Sequence, residues 1–225
     1  MDIQRIIKAV DHTELKVNAV WQDIELLCND ALTFNTASVC IPPSFVKRAA
    51  DYLGGRLPVC TVVGFPNGYS VLAAKLTETE EALKDGASEI DMVINVADLK
   101  EKNYRKILTE IESIKGLCGD HILKVIIETC LLSDPEKIKM CQLVTEAKAD
   151  YIKTSTGFST GGATFKDVKL MAENVGPTVK IKAAGGISSL EDAEQFMNLG
   201  ASRLGTSRII KILKSDPNLF ERFTN

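Results

Sequence analysis

Asp150-Tyr151-Ile152-Lys153-Thr154-Ser155-Thr156-Gly157-Phe158 reads as a short apolar strand with a lysine at its C-terminal end, opening into a loop of small residues. The pattern recurs at Val179-Lys180-Ile181-Lys182-Ala183-Ala184-Gly185-Gly186-Ile187, again with a lysine just ahead of glycines. A strand lysine is a poor structural choice, because an ammonium is costly to bury without a partner. At the end of a parallel strand it can instead be a nucleophilic amine that forms a Schiff base with a carbonyl. Two such lysines close together matter more, since each cation disfavours the protonated form of the other.

Outward from these two units the chain repeats strand, loop and amphipathic helix in both directions. Upstream strands read at 37–41, 59–63, 89–93 and 122–127, and a last one at Ser202-Arg203-Leu204. Ile7-Lys8-Ala9-Val10 serves as a first short strand, which completes eight strand-helix units. Between them, Leu72, Leu76, Thr79 and Leu83 form one helical stripe, and a long helix is expected from about Leu99 to Lys115. Ser133-Asp134-Pro135-Glu136 announces another helix, as do Thr164-x-x-Asp167 and Ser188-x-x-Glu191. Alternating units imply a parallel sheet. Eight of them predict an α/β chain closed as a (β/α)8 TIM barrel with a short N-terminal helix, one domain over 1–225; an open doubly wound sheet is the alternative.

The bulk properties fit that reading. The 225 residues are 45% hydrophobic and 25% charged, with a formal net charge of −3 and a sequence pI near 5.6. No basic footprint for nucleic acid is present. The six cysteines at 28, 40, 60, 118, 130 and 141 include no C-x-x-C, and two histidines are poor material for zinc, so no metal site is expected. The start lacks the pattern of a signal peptide, and no apolar run reaches the roughly 18 residues of a membrane span. A reducing cytoplasm is the expected location.

Strand parity gives the candidate site. Side chains alternate across a strand, so Glu89, Asp91 and Val93 share one face, as do Lys124, Ile126 and Glu128, and Lys180 and Lys182. With Asp91, Lys124, Lys153 and Lys182 turned to the axis, charges from four neighbouring strands meet at the C-terminal mouth, where barrel enzymes place catalysis. The alternative for each is a solvated strand end or a structural ion pair. Gly185-Gly186-Ile187-Ser188 and Gly205-Thr206-Ser207 follow the last two strands and suit a phosphate. Asp11-His12-Thr13 points polar groups to the mouth or caps a helix, and Cys40 packs the core or walls a pocket.

These residues resemble a family, the deoxyribose-phosphate aldolases, which are class I aldolases on a TIM barrel. The marks are Asp11-His12-Thr13, Val39-Cys40-Ile41-Pro42-Pro43, Val63-Gly64-Phe65-Pro66-Asn67-Gly68, Glu89-Ile90-Asp91-Met92-Val93-Ile94-Asn95, Leu123-Lys124-Val125-Ile126-Ile127-Glu128-Thr129, Lys153-Thr154-Ser155-Thr156-Gly157-Phe158 and Lys182-Ala183-Ala184-Gly185-Gly186-Ile187. They run in family order over nearly the whole chain.

The resemblance implies reversible cleavage of 2-deoxy-D-ribose 5-phosphate to D-glyceraldehyde 3-phosphate and acetaldehyde. It makes Lys153 the Schiff-base lysine, Lys182 the neighbour that lowers its pKa and moves protons, and Asp91 a proton donor or acceptor working through water. Asp11, Thr13, Cys40, Lys124 and Thr156 become substrate contacts, with phosphate on the backbone around Gly157, Gly185, Gly186, Gly205 and Ser207. It requires no cofactor, involves neither nucleic acid nor membrane, and points to a homodimer. Some members use a C-terminal tyrosine, whereas this chain ends Phe220-Glu221-Arg222-Phe223-Thr224-Asn225 and its last tyrosine is Tyr151. The rivals are another lysine-dependent phosphosugar aldolase and a non-catalytic phosphosugar-binding barrel.

Overall fold

The structure, a computed structural model, describes residues 1–216; the C-terminal Phe220-Glu221-Arg222-Phe223-Thr224-Asn225 lies outside them. Eight parallel strands close into a barrel in chain order: β1 (Val10–Thr13), β2 (Ser38–Ile41), β3 (Val59–Val63), β4 (Glu89–Val93), β5 (Ile122–Ile126), β6 (Tyr151–Lys153), β7 (Lys180–Ala184) and β8 (Ala201–Thr206). β8 pairs back onto β1, with Asp11 opposite Gly205. The first strand starts later than the sequence suggests. Ile7 ends helix α1 (Ile3–Ile7), where Ile6 and Ile7 are buried, so those apolar residues serve a helix and not the sheet.

The remaining helices are α2 (Trp21–Phe34), α3 (Val46–Leu53), α4 (Leu72–Lys84), α5 (Val96–Lys100), α6 (Tyr104–Cys118), α7 (Asp134–Glu146), α8 (Phe165–Asn174), α9 (Leu190–Asn198) and α10 (Ile209–Ser215). The long helix expected from Leu99 is broken, because Lys102 takes a left-handed φ of 62° between α5 and α6. The helix starts follow local chemistry. Ser133 N–H and hydroxyl both donate to Glu136 at the head of α7, and the Thr164 hydroxyl accepts from Asp167 N at α8. At α9 the cap is Ser189, one residue past the expected Ser188, with Asp192 N donating to its hydroxyl.

The main core fills the shell between sheet and helices, with Val39, Ile41, Ile90, Met92, Leu123, Val125 and Ile152 packed against Ile24, Ile111, Ile114, Met140 and Val144. These strand residues alternate with a second, inward set, where only Cys40, Cys60 and Val62 form an apolar cluster, under Leu15 and Phe65. Most of the remaining inward side chains at the middle of the barrel are charged, with Ser38, Tyr151, Val93 and Ile126 buried among them.

Two local features differ from simple patterning. α4 buries Lys75, Thr79 and Ala82 and leaves Leu76 and Leu83 half-covered. Lys75 Nζ is satisfied by Val93 O at 2.8 Å and Glu110 Oε1 at 2.7 Å, which ties α4 and α6 to the end of β4. Gly68 sits at φ 74°, and a Cβ there would stand 1.9 Å from Ile94 O. Gly68→Ala should therefore destabilise by more than about 1 kcal/mol. In a chain of this size that lowers Tm by roughly 2–4 °C per kcal/mol. A melt at the parental Tm would contradict this packing.

Candidate active site

Seven charged side chains meet inside the barrel. Asp91 stands at their centre in β4: its Oδ2 accepts from Lys153 Nζ at 2.8 Å and Lys182 Nζ at 2.6 Å, and its Oδ1 from Lys124 Nζ at 3.0 Å. Lys124 also donates to Glu89 Oε2 at 2.5 Å, and Lys182 is ion-paired with Asp11 Oδ2 at 2.5 Å. The Arg203 guanidinium on β8 links Asp11 Oδ1 to Glu89, whose Oε1 lies 2.8 Å from Nη2. Such charges survive burial only when each finds a counter-charge.

Fixed partners set the protonation states. Burial is the largest single influence on Asp91 and pushes its carboxyl up, but the Lys124, Lys153 and Lys182 ammoniums together hold it well below the usual carboxylate range. Burial pushes Lys182 down, yet the Asp11 and Asp91 carboxylates outweigh it and hold Lys182 above an ordinary lysine. Lys124 follows the same balance, with burial opposed by Asp91 and further anions, and ends well above its ordinary value. Asp91 is thus a standing anion and Lys182 a standing ammonium. Asp91 Oδ2 is shared by the two lysines and stands between the Lys153 and Lys182 ammoniums.

A cavity of about 310 Å³ opens above this cluster. Its wall includes Lys153, Thr13, Thr156, Gly157, Gly185, Gly186, Gly205 and Ser207 from the expected set. Asp11, Cys40, Asp91, Lys124 and Lys182 do not line it; all five are fully buried beneath. The difference matters for Asp11, Cys40 and Lys124, which were expected to touch substrate. Their inward orientation follows from strand parity, but their depth places them among barrel ions and thiols. Lys180 lies at the opposite, N-terminal end of β7, exposed, with its ammonium 5.7 Å from the Tyr151 ring.

Three further residues were not legible as site residues. Lys16 and Arg208 line the cavity beside the glycine turns. Lys16 pairs with Glu14 at 3.0 Å, and Arg208 is exposed with no acidic partner among the described residues. Arg208 follows Ser207 directly, an adjacency that could have drawn attention. Glu128, at a left-handed φ of 53°, accepts from the Thr156 hydroxyl at 2.5 Å and so fixes the loop after β6. Phe158 stacks edge-on to Phe65 with centroids 5.3 Å apart at the mouth.

Two donor sets are close enough to hold a cation: Cys40, Cys60 and Asp91, and Asp11, Cys60 and Glu89, each within 4.8 Å. In both, the carboxylates already accept from lysine or arginine, which an entering metal would have to displace. No described helix is long and apolar enough to cross a membrane.

A closed barrel with a lysine at the floor of a cation- and glycine-lined cavity, backed by a fixed carboxylate, has the parts that an aldolase of the Schiff-base class needs. Residues 5–205 match the DeoC/LacD family aldolases. A deoxyribose-phosphate aldolase of Streptococcus pyogenes is 60% identical over 96% of this chain and 97% of its own length. One from Streptococcus agalactiae is 60% identical over 96% of each. The tetrameric deoxyribose phosphate aldolase of Aeropyrum pernix superposes with a TM-score of 0.87 at 30% identity, covering 95% of this chain and 92% of that one. The chain belongs to the DeoC/LacD aldolase family.

Proposed function

We propose that this barrel reversibly cleaves 2-deoxy-D-ribose 5-phosphate to D-glyceraldehyde 3-phosphate and acetaldehyde, with Lys153 as the Schiff-base amine. The observation that carries the reading is that Lys153, of the three interior lysines, alone lines the cavity. Its Nζ adds to the C1 aldehyde of the open-chain sugar to give a carbinolamine, which loses water to leave an iminium. The C2–C3 bond then breaks as the C3 hydroxyl gives up its proton. The bonding pair flows to the iminium nitrogen, an enamine forms, and the three-carbon phosphate leaves as an aldehyde. Protonation at C2 and addition of water release acetaldehyde and restore the amine.

Each proton movement needs a positioned acid or base. Asp91 Oδ2, within hydrogen-bond reach of both Lys153 and Lys182, supports a relay in which Asp91 accepts and Lys182 donates. Asp11, Cys40 and Lys124 take supporting roles below the cavity, while Thr13 and Thr156 face the sugar. The phosphate lies on the Gly157, Gly185, Gly186 and Gly205 backbone and the Ser207 hydroxyl, with Lys16 and Arg208 adding charge.

A coupled assay for glyceraldehyde 3-phosphate released from deoxyribose 5-phosphate tests the activity, and absence of release would reject it. Testing acetaldehyde against a ketose donor separates the reading from other lysine-dependent aldolases. Saturable binding without a trappable adduct would favour the phosphosugar-binding protein. For the phosphate site, Ser207→Glu should raise KM for the 5-phosphate at least ~10-fold, by like-charge repulsion, and leave unphosphorylated deoxyribose nearly unchanged. Equal losses on both substrates would count against it. The same change at Gly186, where φ is 77°, would mix charge with backbone strain.

We take residues 1–225 as one domain, cytoplasmic and homodimeric. Six free cysteines, five of them buried, fit a reducing compartment. Light scattering decides the assembly, and a tetramer would place the chain with the Aeropyrum pernix enzyme.

A further inference from the structure

Six of the seven interior charges form a closed ring of alternating sign. From Asp11 it passes to Lys182, Asp91, Lys124, Glu89 and Arg203 and returns to Asp11. Three carboxylates face three cations, so the ring is neutral. Lys153 is the seventh charge. It touches the ring only at Asp91, and it is the only one of the seven that lines the cavity. Arg203 reaches its place through an irregularity between β7 and β8, where the register passes from Ile181 opposite Ala201 to Lys182 opposite Arg203.

We infer that Arg203 and Glu89 are positioning residues that hold the ring neutral, so that proton loss falls on Lys153 and not on a ring lysine. This rests on Lys153 being the reactive amine of the reading above. The physical reason is charge balance in a medium where water cannot compensate. When Lys153 loses its proton the interior is left with matched charges. Take Arg203 away, and three carboxylates face three lysines, so that Lys153 becomes the cation needed for balance. Take Glu89 away, and four cations face two carboxylates, so that Lys153 gives up its proton more readily.

The other polar groups facing the cluster are the Ser38 hydroxyl, which donates to Asp11 Oδ1 at 2.8 Å, and the Cys60 thiol, 3.2 Å from Asp91 Oδ1. Cys40 joins Cys60 on the inner face, and Tyr151 presents its ring to the Arg203 guanidinium at 5.8 Å. On the cavity side stand Glu14, Lys16 and Arg208. None of these replaces the two charges that close the ring.

The test uses Arg203→Met, Glu89→Gln and the double variant, with trace acetic anhydride as the probe and peptide mass spectrometry reading Lys153 acetylation against pH. Arg203→Met should raise the pH of half-labelling by about one unit, and Glu89→Gln should lower it by a similar amount. The double variant, which restores the parental net charge of the interior, should return to the parental value. Shifts in the same direction, no shift, or an uncorrected double variant would overturn the inference. Should Arg203→Met fail to fold, the nearly isosteric Glu89→Gln decides alone: an unchanged or higher half-labelling pH overturns it. Labelling needs no substrate, so the outcome stands apart from the aldolase reading. That reading fails separately if acetaldehyde and borohydride trap no adduct on the parent protein.

Discussion

Lys153→Ala should lower kcat for deoxyribose 5-phosphate by at least about 10⁴-fold, because loss of a nucleophile removes the covalent route and leaves only binding and environment. The same variant should lose the borohydride-trapped adduct that the parent forms with substrate. Folding should be kept. Removing the seventh charge leaves the six-membered ring closed and neutral, and the truncated side chain opens onto the existing cavity. Circular dichroism and a melt near the parental Tm would separate this chemical loss from a structural one. A trapped adduct that maps to Lys182 would exchange the two roles, and turnover without any adduct would remove the Schiff base.

Lys182→Leu carries the second largest effect, with a different signature. Lys182 is fully buried between Asp11 and Asp91, so its removal leaves two carboxylates short of a cation. Breaking a buried pair from one side costs about 3–5 kcal/mol. That corresponds to a fall in Tm of roughly 10 °C at 2–4 °C per kcal/mol. Turnover should fall by ~10²–10⁴-fold with loss of the proton donor. The sign of the pH effect follows from charge: with one cation gone, Asp91 holds the Lys153 proton more tightly, so residual activity moves to the alkaline side. Activity rising toward acid would contradict the arrangement around Asp91.

The chain's periodicity set the alternating strand-helix units, because each strand and helix is specified by residues that are neighbours in sequence; closure in place of an open sheet was decided by the pairing of β8 with β1. Period-two alternation also placed Asp91, Lys124, Lys153 and Lys182 on inward faces, since parity is a property of one strand at a time. The capping residues at α7 and α8 were legible for the same reason: a cap and its third residue lie within one turn. The apolar run at Ile7, read from local pattern as the start of a strand, was assigned to α1 by the tertiary structure, which buries Ile6 and Ile7 in the core.

What the sequence could not determine are quantities that belong to pairs of distant residues. The depth of Asp11, Cys40 and Lys124 below the cavity depends on where eight strands end relative to one another. The burial of Lys75 depends on Glu110, which is 35 residues away. Lys16 and Arg208 share one wall because β8 closes onto β1, although the two residues lie at opposite ends of the chain. Arg203 faces Lys182 through an irregular register that no count within β8 reveals. Its charge balance with Asp11 and Glu89 arises only on closure, when side chains from β1, β4 and β8 enter one low-dielectric space. Short-range pattern therefore names which residues point inward, and the three-dimensional closure of the sheet decides which charges neutralise which, and so which interior lysine stands at the cavity.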